Sequence, residues 1–215
     1  MTQVEQMIFI IDDDPSVRRG LTRVIRAAGM QTKSFCSAVE FLDSKRMHEP
    51  GCIVLDVMMP GVEGPALQEI LSKAEYCLPI IFLSAHGDAP TIVAAMKKGA
   101  VDFLTKPVDR DDLLAAIHVS LAQNVRNREK QAEIDSIRDK INSLTPREHE
   151  IMTYVITGML NKQIAEKLSI VEDTVKIHRG RVKRKLGVLS VVELVKLCEK
   201  ASIPSAVSGE GITEY

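Results

Sequence analysis

The chain lacks what a membrane protein needs. No apolar run approaches the roughly 20 residues that span a bilayer, and the opening MTQVEQ has neither the basic nor the apolar region of a signal peptide. A cytoplasmic protein with no membrane partner is expected. Cysteine is scarce and scattered: Cys36, Cys52, Cys77 and Cys198 fall in no CxxC or metal-ligand spacing, which leaves them as reduced packing residues. Net charge is nearly absent, at −1, but its distribution is uneven. Residues 1–125 hold 12 Lys+Arg against 16 Asp+Glu, whereas residues 143–200 hold 11 against 7. Two halves of opposite electrostatics follow, and 215 residues at 45% hydrophobic content are enough for two modest cores. Between them, residues 126–142 have no Gly or Pro and carry 5 basic and 4 acidic groups, which suits a solvated helix better than a floppy tether. Residues 202–215, rich in Ser and Gly, read as a disordered tail.

What the chain does have is a set of polar residues that each close an apolar run. MIFII leads to Asp12 and Asp13, CIVL to Asp56, PIIFL to Ser84, and VDFLT to Lys106 and Pro107. Short apolar runs separated by helical stretches read as parallel strands buried on both faces, here at 7–12, 31–35, 52–56, 79–84 and 100–105. The expected fold is α/β, a doubly wound five-stranded parallel sheet of order 2-1-3-4-5. Its ligand crevice lies beyond the carboxyl ends of strands one and three. One pocket then collects Asp12, Asp13, Asp56, Ser84 and Lys106. Three carboxylates there repel one another unless a cation joins them, and a lysine beside a hydroxyl suits an anion. That describes a site for a divalent metal and a phosphoryl group. Some neighbours have plainer readings: Asp14 before Pro15 is a helix cap, Phe103 alone is core packing, and His86 is a surface histidine or a group that tunes the lifetime of an acyl phosphate.

The motifs IDDDP, LDVMMPGVEG, FLSAHGD and VDFLTKP resemble the receiver domain of bacterial two-component response regulators, over about 120 residues and in the same order. The resemblance implies that Asp56 is the phospho-acceptor and that Asp12, Asp13 and the backbone carbonyl of Met58 help it hold Mg²⁺. It implies further that Ser84 and Lys106 contact the phosphoryl group, that Phe103 is the aromatic switch, and that a cis bond precedes Pro107. The chemistry fits independently of the family. A carboxylate can attack phosphorus, and Mg²⁺, which keeps waters and accepts phosphate oxygens, suits an open acidic site.

From Leu144 the basic half opens with Thr145, Pro146 and Glu148, a capping box with proline in the first turn. Three further helices are expected at about 161–168, 172–186 and 190–200. In the third of the four, Val175, Val182 and Leu186 form an apolar stripe, while Lys176, Ile177, Gly180, Arg181 and Arg184 project from the other side. A basic helix after a short helix and a tight turn is the geometry that enters a DNA major groove, although charge runs commonly just face water. The pieces LTPRE, NKQIA and TVKIHR are similar to the LuxR-type helix-turn-helix of NarL/FixJ response regulators. That likeness places Lys176, Ile177 and position 180 against bases, with glycine at 180 offering no side chain. Arg179, Arg181, Lys183 and Arg184 complete the expected DNA-binding set, Arg179 and His178 lying near the buried edge. A second departure is Val171, where the family often has a serine cap.

The expected divisions are a receiver domain at 1–122, a linker helix at 123–142, a helix-turn-helix domain at 143–201 and the tail. Ile134, Ile137, Ile141 and Leu144 recur at heptad-like spacing, too briefly for a coiled coil, and leave a dimer seam open. The resemblance implies a transcriptional regulator and not an enzyme. It would be phosphorylated by a sensor histidine kinase, form a homodimer, and bind double-stranded promoter DNA, with RNA polymerase as a further partner. Two rivals use the same residues: a Mg²⁺-dependent phosphohydrolase and a phospho-dependent protein-interaction adaptor. The first is weakened because Met58 stands where such enzymes place a second, acid/base Asp.

Overall fold

The computed structural model describes residues 5–73, 78–85 and 89–204, and places them in two compact units, Met1–Glu129 and Lys130–Tyr215. His86, Cys77 and residues 205–215 of the expected tail lie outside the described residues.

The first unit alternates strand and helix: β1 Met7–Ile11, α1 Pro15–Ala27, β2 Gln31–Phe35, α2 Ala38–Asp43, β3 Gly51–Asp56, α3 Gly64–Lys73, β4 Ile80–Ser84, α4 Ala89–Lys97, β5 Asp102–Thr105 and α5 Arg110–Asn142. All four strand pairings are parallel and the order is β2-β1-β3-β4-β5. Alternation of side chains across the sheet explains the unbroken apolar runs. Phe9 and Ile11 enter one core with Phe41, Ile53, Leu55, Leu67 and Phe82, while Ile8 and Ile10 enter the other with Ile25, Val54, Ile81, Leu83 and Ile117. Both faces of β1, β3 and β4 are covered, so polar residues can appear only where these strands end. That is why the ends collect function. β5 is shorter than expected: Ala100 and Val101 precede it, and its residues are half-buried or exposed.

The division between units falls inside α5, near residue 129. The C-terminal part of α5 belongs to the second core. Ile137, Ile141 and Leu144 are buried there with Ile151, Met152, Ile164, Val175, Val182 and Leu186. The open dimer seam therefore has an occupant within its own unit. Helices α6 Pro146–Val155, α7 Asn161–Lys167, α8 Glu172–Leu186 and α9 Val191–Lys200 complete the unit. Thr145 and Glu148 form the capping box expected of them, Ser190 caps α9, and Gly187 ends α8 in the left-handed conformation at φ 71°. α8 packs on α6 and α7 through Val175, Val182 and Leu186.

Candidate functional site

Adjacent parallel strands put their carboxyl ends side by side. The register pairs Ile11 with Leu55, so the next residues, Asp12 and Asp56, emerge together, with Asp13 beyond. One carboxylate oxygen from each of Asp12, Asp13 and Asp56 lies within 4.8 Å of the others. Asp12 and Asp56 are buried and Asp13 is exposed. Lys106 reaches in from beyond β5: its Nζ is 2.7 Å from Asp12 Oδ2 and 3.2 Å from Asp56 Oδ1. Ser84, almost wholly buried at the end of β4, is tied to the same corner because its carbonyl accepts the Lys106 backbone N–H at 2.8 Å. The Lys106–Pro107 bond is cis.

Burial pushes the Asp56 carboxyl above the ordinary aspartate range, although the Lys106 ammonium pulls the other way. For Lys106, burial works to lower the pKa, but the hydrogen bond and charge of Asp12, with the charge of Asp56, outweigh it and hold the amine above its usual value. One ammonium against three carboxylates leaves the cluster negative. All-oxygen ligands, one of them solvent-facing, are the donor set of a hard divalent cation that retains water. The residues therefore fit Mg²⁺.

The remaining expected residues are placed as follows. Met58 follows β3 with its side chain exposed, and its backbone N–H bonds the Asp56 carboxylate. Phe103 is half-buried in β5, its ring centroid 6.3 Å from that of Phe82 and packed on the core. Asp14 caps α1 by accepting the Ser16 N–H at 2.7 Å. Two residues outside the expected set also shape the pocket. Arg18 Nη1 donates to the carbonyls of Asp12 at 2.6 Å and Asp13 at 2.9 Å, fixing the loop that carries both acids. Gly64 starts α3 against the back of Asp56, where an added Cβ would stand 2.5 Å from the Asp56 carbonyl oxygen. The closing glycine of LDVMMPGVEG was a visible signal for the second. Arg18 had none, being one arginine of four on α1.

On α8, Lys176, Ile177, Gly180, Arg181 and Arg184 are exposed and Lys183 is half-buried. They are not equally free. Lys176 pairs with Asp173 at 3.0 Å and Glu172 at 3.5 Å, and Arg179 is bonded to Asn161 at the start of α7. Arg181, Lys183 and Arg184 have no ion pair among the described residues. Lys185, outside the expected set, pairs with buried Glu148 at 2.6 Å and with the Ser143 carbonyl, locking α8 to the start of α6. Val171 gives α8 no side-chain cap.

Residues 8–118 match the family described as response regulator receiver domain, and residues 142–198 match bacterial regulatory proteins, luxR family. Nodulation protein W of Bradyrhizobium diazoefficiens is 40% identical over 92% of this chain and 87% of its own. The transcriptional regulatory protein FixJ of the same organism is 37% identical over 91% and 96%. Among solved structures, the response regulator StyR is 43% identical, with a TM-score of 0.71 over 91% of this chain and 99% of that one. Matches to both halves, and relatives aligned along nearly their whole lengths, have one reading: the chain belongs to the NarL/FixJ family of two-component response regulators, with a LuxR-type DNA-binding domain behind the receiver.

Proposed function

We propose that Asp56 accepts a phosphoryl group from a sensor histidine kinase and that this modification controls promoter binding through α8. The observation that carries the proposal is the approach of Asp12, Asp13 and Asp56 within 4.8 Å of one another, with Lys106 Nζ 3.2 Å from Asp56. An Asp56 carboxylate oxygen attacks phosphorus, the phosphorus–nitrogen bond to the kinase imidazole breaks, and that nitrogen takes up a proton. Lys106 supplies positive charge beside the attacking oxygen, and Ser84 supplies a hydroxyl donor at the next strand end. Mg²⁺, held by Asp12, Asp13, Asp56 and the Met58 carbonyl, would neutralise charge on the transferred oxygens. The new phosphoryl group draws Ser84, Phe103 repacks, and the receiver surface that favours a homodimer is stabilised. Paired α8 helices then meet half-sites about one helical turn apart, where RNA polymerase is a further contact. The setting is the cytoplasm.

The test uses the full-length chain, labelled acetyl phosphate and Mg²⁺. Label should enter the native protein and not Asp56→Asn; uptake at normal stoichiometry by that variant refutes the acceptor. Duplex binding is measured alongside. Arg181, Lys183 and Arg184 from each of two chains predict a slope of log affinity against log salt of about −5.

A further inference from the structure

Gly180 lies in the middle of α8, a 15-residue helix whose amphipathic pattern and packing are otherwise regular. Nothing in the fold requires glycine there. Its φ is not positive, and a Cβ built on it meets no heavy atom within 4 Å. Glycine in a helix interior is destabilising relative to alanine, because the unfolded chain has more freedom to lose. Gly20 in α1 weakens its helix in the same way, so the glycine alone decides nothing; its place on α8 does.

Opposite the buried Val175, Val182 and Leu186, the outermost line of α8 runs Asp173, Ile177, Gly180 and Arg184, at spacings of four, three and four. Ile177 on this crest is 56% exposed and sets a large apolar side chain beside Gly180. Lys176, Arg181 and Lys183 flank the line. A helix with side chains is about 10–12 Å across, whereas its Cα atoms lie about 2.3 Å from the axis. At Gly180 alone on this crest, a partner can come up against the backbone.

We propose that Gly180 is a specificity-determining residue. The floor of the DNA major groove approaches α8 most closely there, and the missing side chain sets how deeply the helix seats and so which base edges Lys176 and Ile177 reach. This rests on the reading of α8 as the groove-facing helix. It adds that the bare position is required for operator recognition and is not merely a contact left out. Phosphate contacts by Arg181, Lys183 and Arg184 do not depend on the same depth, so sequence-specific and non-specific binding respond differently.

Gly180→Ala in the full-length chain tests this, with Gly20→Ala as the control. Gly20 is also an exposed mid-helix glycine, in α1, with nothing within 4 Å of a Cβ. The probe is a duplex enriched from a randomised library by the native chain, compared with the unselected library at the same salt. Both variants should melt higher than the native protein. Gly180→Ala should bind the enriched duplex at least tenfold more weakly while its affinity for the unselected library and its salt slope stay unchanged; Gly20→Ala should bind both as the native chain does. Equal or tighter binding of the enriched duplex by Gly180→Ala overturns the proposal, as does a lower melting temperature, which would show that the fold needs this glycine. A native chain with no salt-dependent retention on any duplex fails differently: it removes the DNA reading of α8 itself.

Discussion

Neutralising Asp13 should make the metal-free protein more stable and the Mg²⁺-supplemented protein less responsive, so that the two melting curves exchange order. Two unit charges 4.8 Å apart repel by about 0.9 kcal/mol in the dielectric of water and by about 3.5 kcal/mol at an effective value of 20. Asp13 is exposed, so the lower figure governs it, and Lys106 already neutralises part of its two neighbours. Asp13→Asn therefore relieves about 1 kcal/mol, or roughly 3–5 °C in the transition of a domain this size. Mg²⁺ acts in the opposite direction: at a hundred times its Kd it stabilises the native form by about 2.7 kcal/mol. Losing one of three carboxylates lowers the affinity, so most of that rise should disappear from the variant. Scanning calorimetry on the full-length chain, in chelator and in excess Mg²⁺, reads both effects on the receiver transition. If Asp13→Asn melts below the native protein in chelator, or keeps the full rise with Mg²⁺, the three acids are not a mutually repelling cation site.

Glu148 is held at a pKa of about 2, first by the Lys185 hydrogen bond and then by the Thr145 backbone N–H. Its folded pKa lies below its unfolded value, so its contribution is fully present above about pH 4.5 and is lost as pH falls toward 2; the DNA-binding unit should weaken across that window, and Glu148→Gln should flatten the dependence in acid melts. At neutral pH the same variant should cost about 2 kcal/mol in urea unfolding, below the usual figure for breaking a buried pair because Lys185 stays partly solvated. Gly64→Ala forces a Cβ to within 2.5 Å of the Asp56 carbonyl and 2.9 Å of the Phe82 ring. Relieving that overlap should cost about 2 kcal/mol of receiver stability and slow acetyl-phosphate labelling; an unchanged labelling rate would show that the loop behind Asp56 adjusts freely.

The strand ends were legible because burial on both faces keeps β1, β3 and β4 free of polar side chains up to the last residue of the strand or the first beyond it. β5 was read two residues too long at its start, since it lies at the sheet edge with half-buried side chains and lacks that contrast. Local capping was equally readable: Thr145, Glu148 and Asp14 act within three residues of themselves. Pairings across the chain were not. Glu148 presents the same letters whether it only closes a capping box or also meets Lys185, 37 positions away. Likewise, a guanidinium that binds carbonyls, as in Arg18, looks no different from its solvated neighbours Arg19 and Arg23.

The basic face of α8 and the apolar stripe of α5 carry a common lesson about periodicity. Helical spacing shows which residues share a face, while the partner of that face is chosen by tertiary packing. Ile137, Ile141 and Leu144 have the spacing of a dimer seam, yet the second unit is small enough to need them for its own core. On α8 the spacing groups Lys176 with the cations offered to DNA, although acids one turn earlier hold it; Arg179, near the buried edge, is held by Asn161. In the proposed DNA complex Lys176 would have to exchange Asp173 and Glu172 for a base edge. Since those acids also repel phosphate, α8 should gain more discrimination than raw affinity from its first two turns, and should draw its general attraction to DNA from Arg181, Lys183 and Arg184.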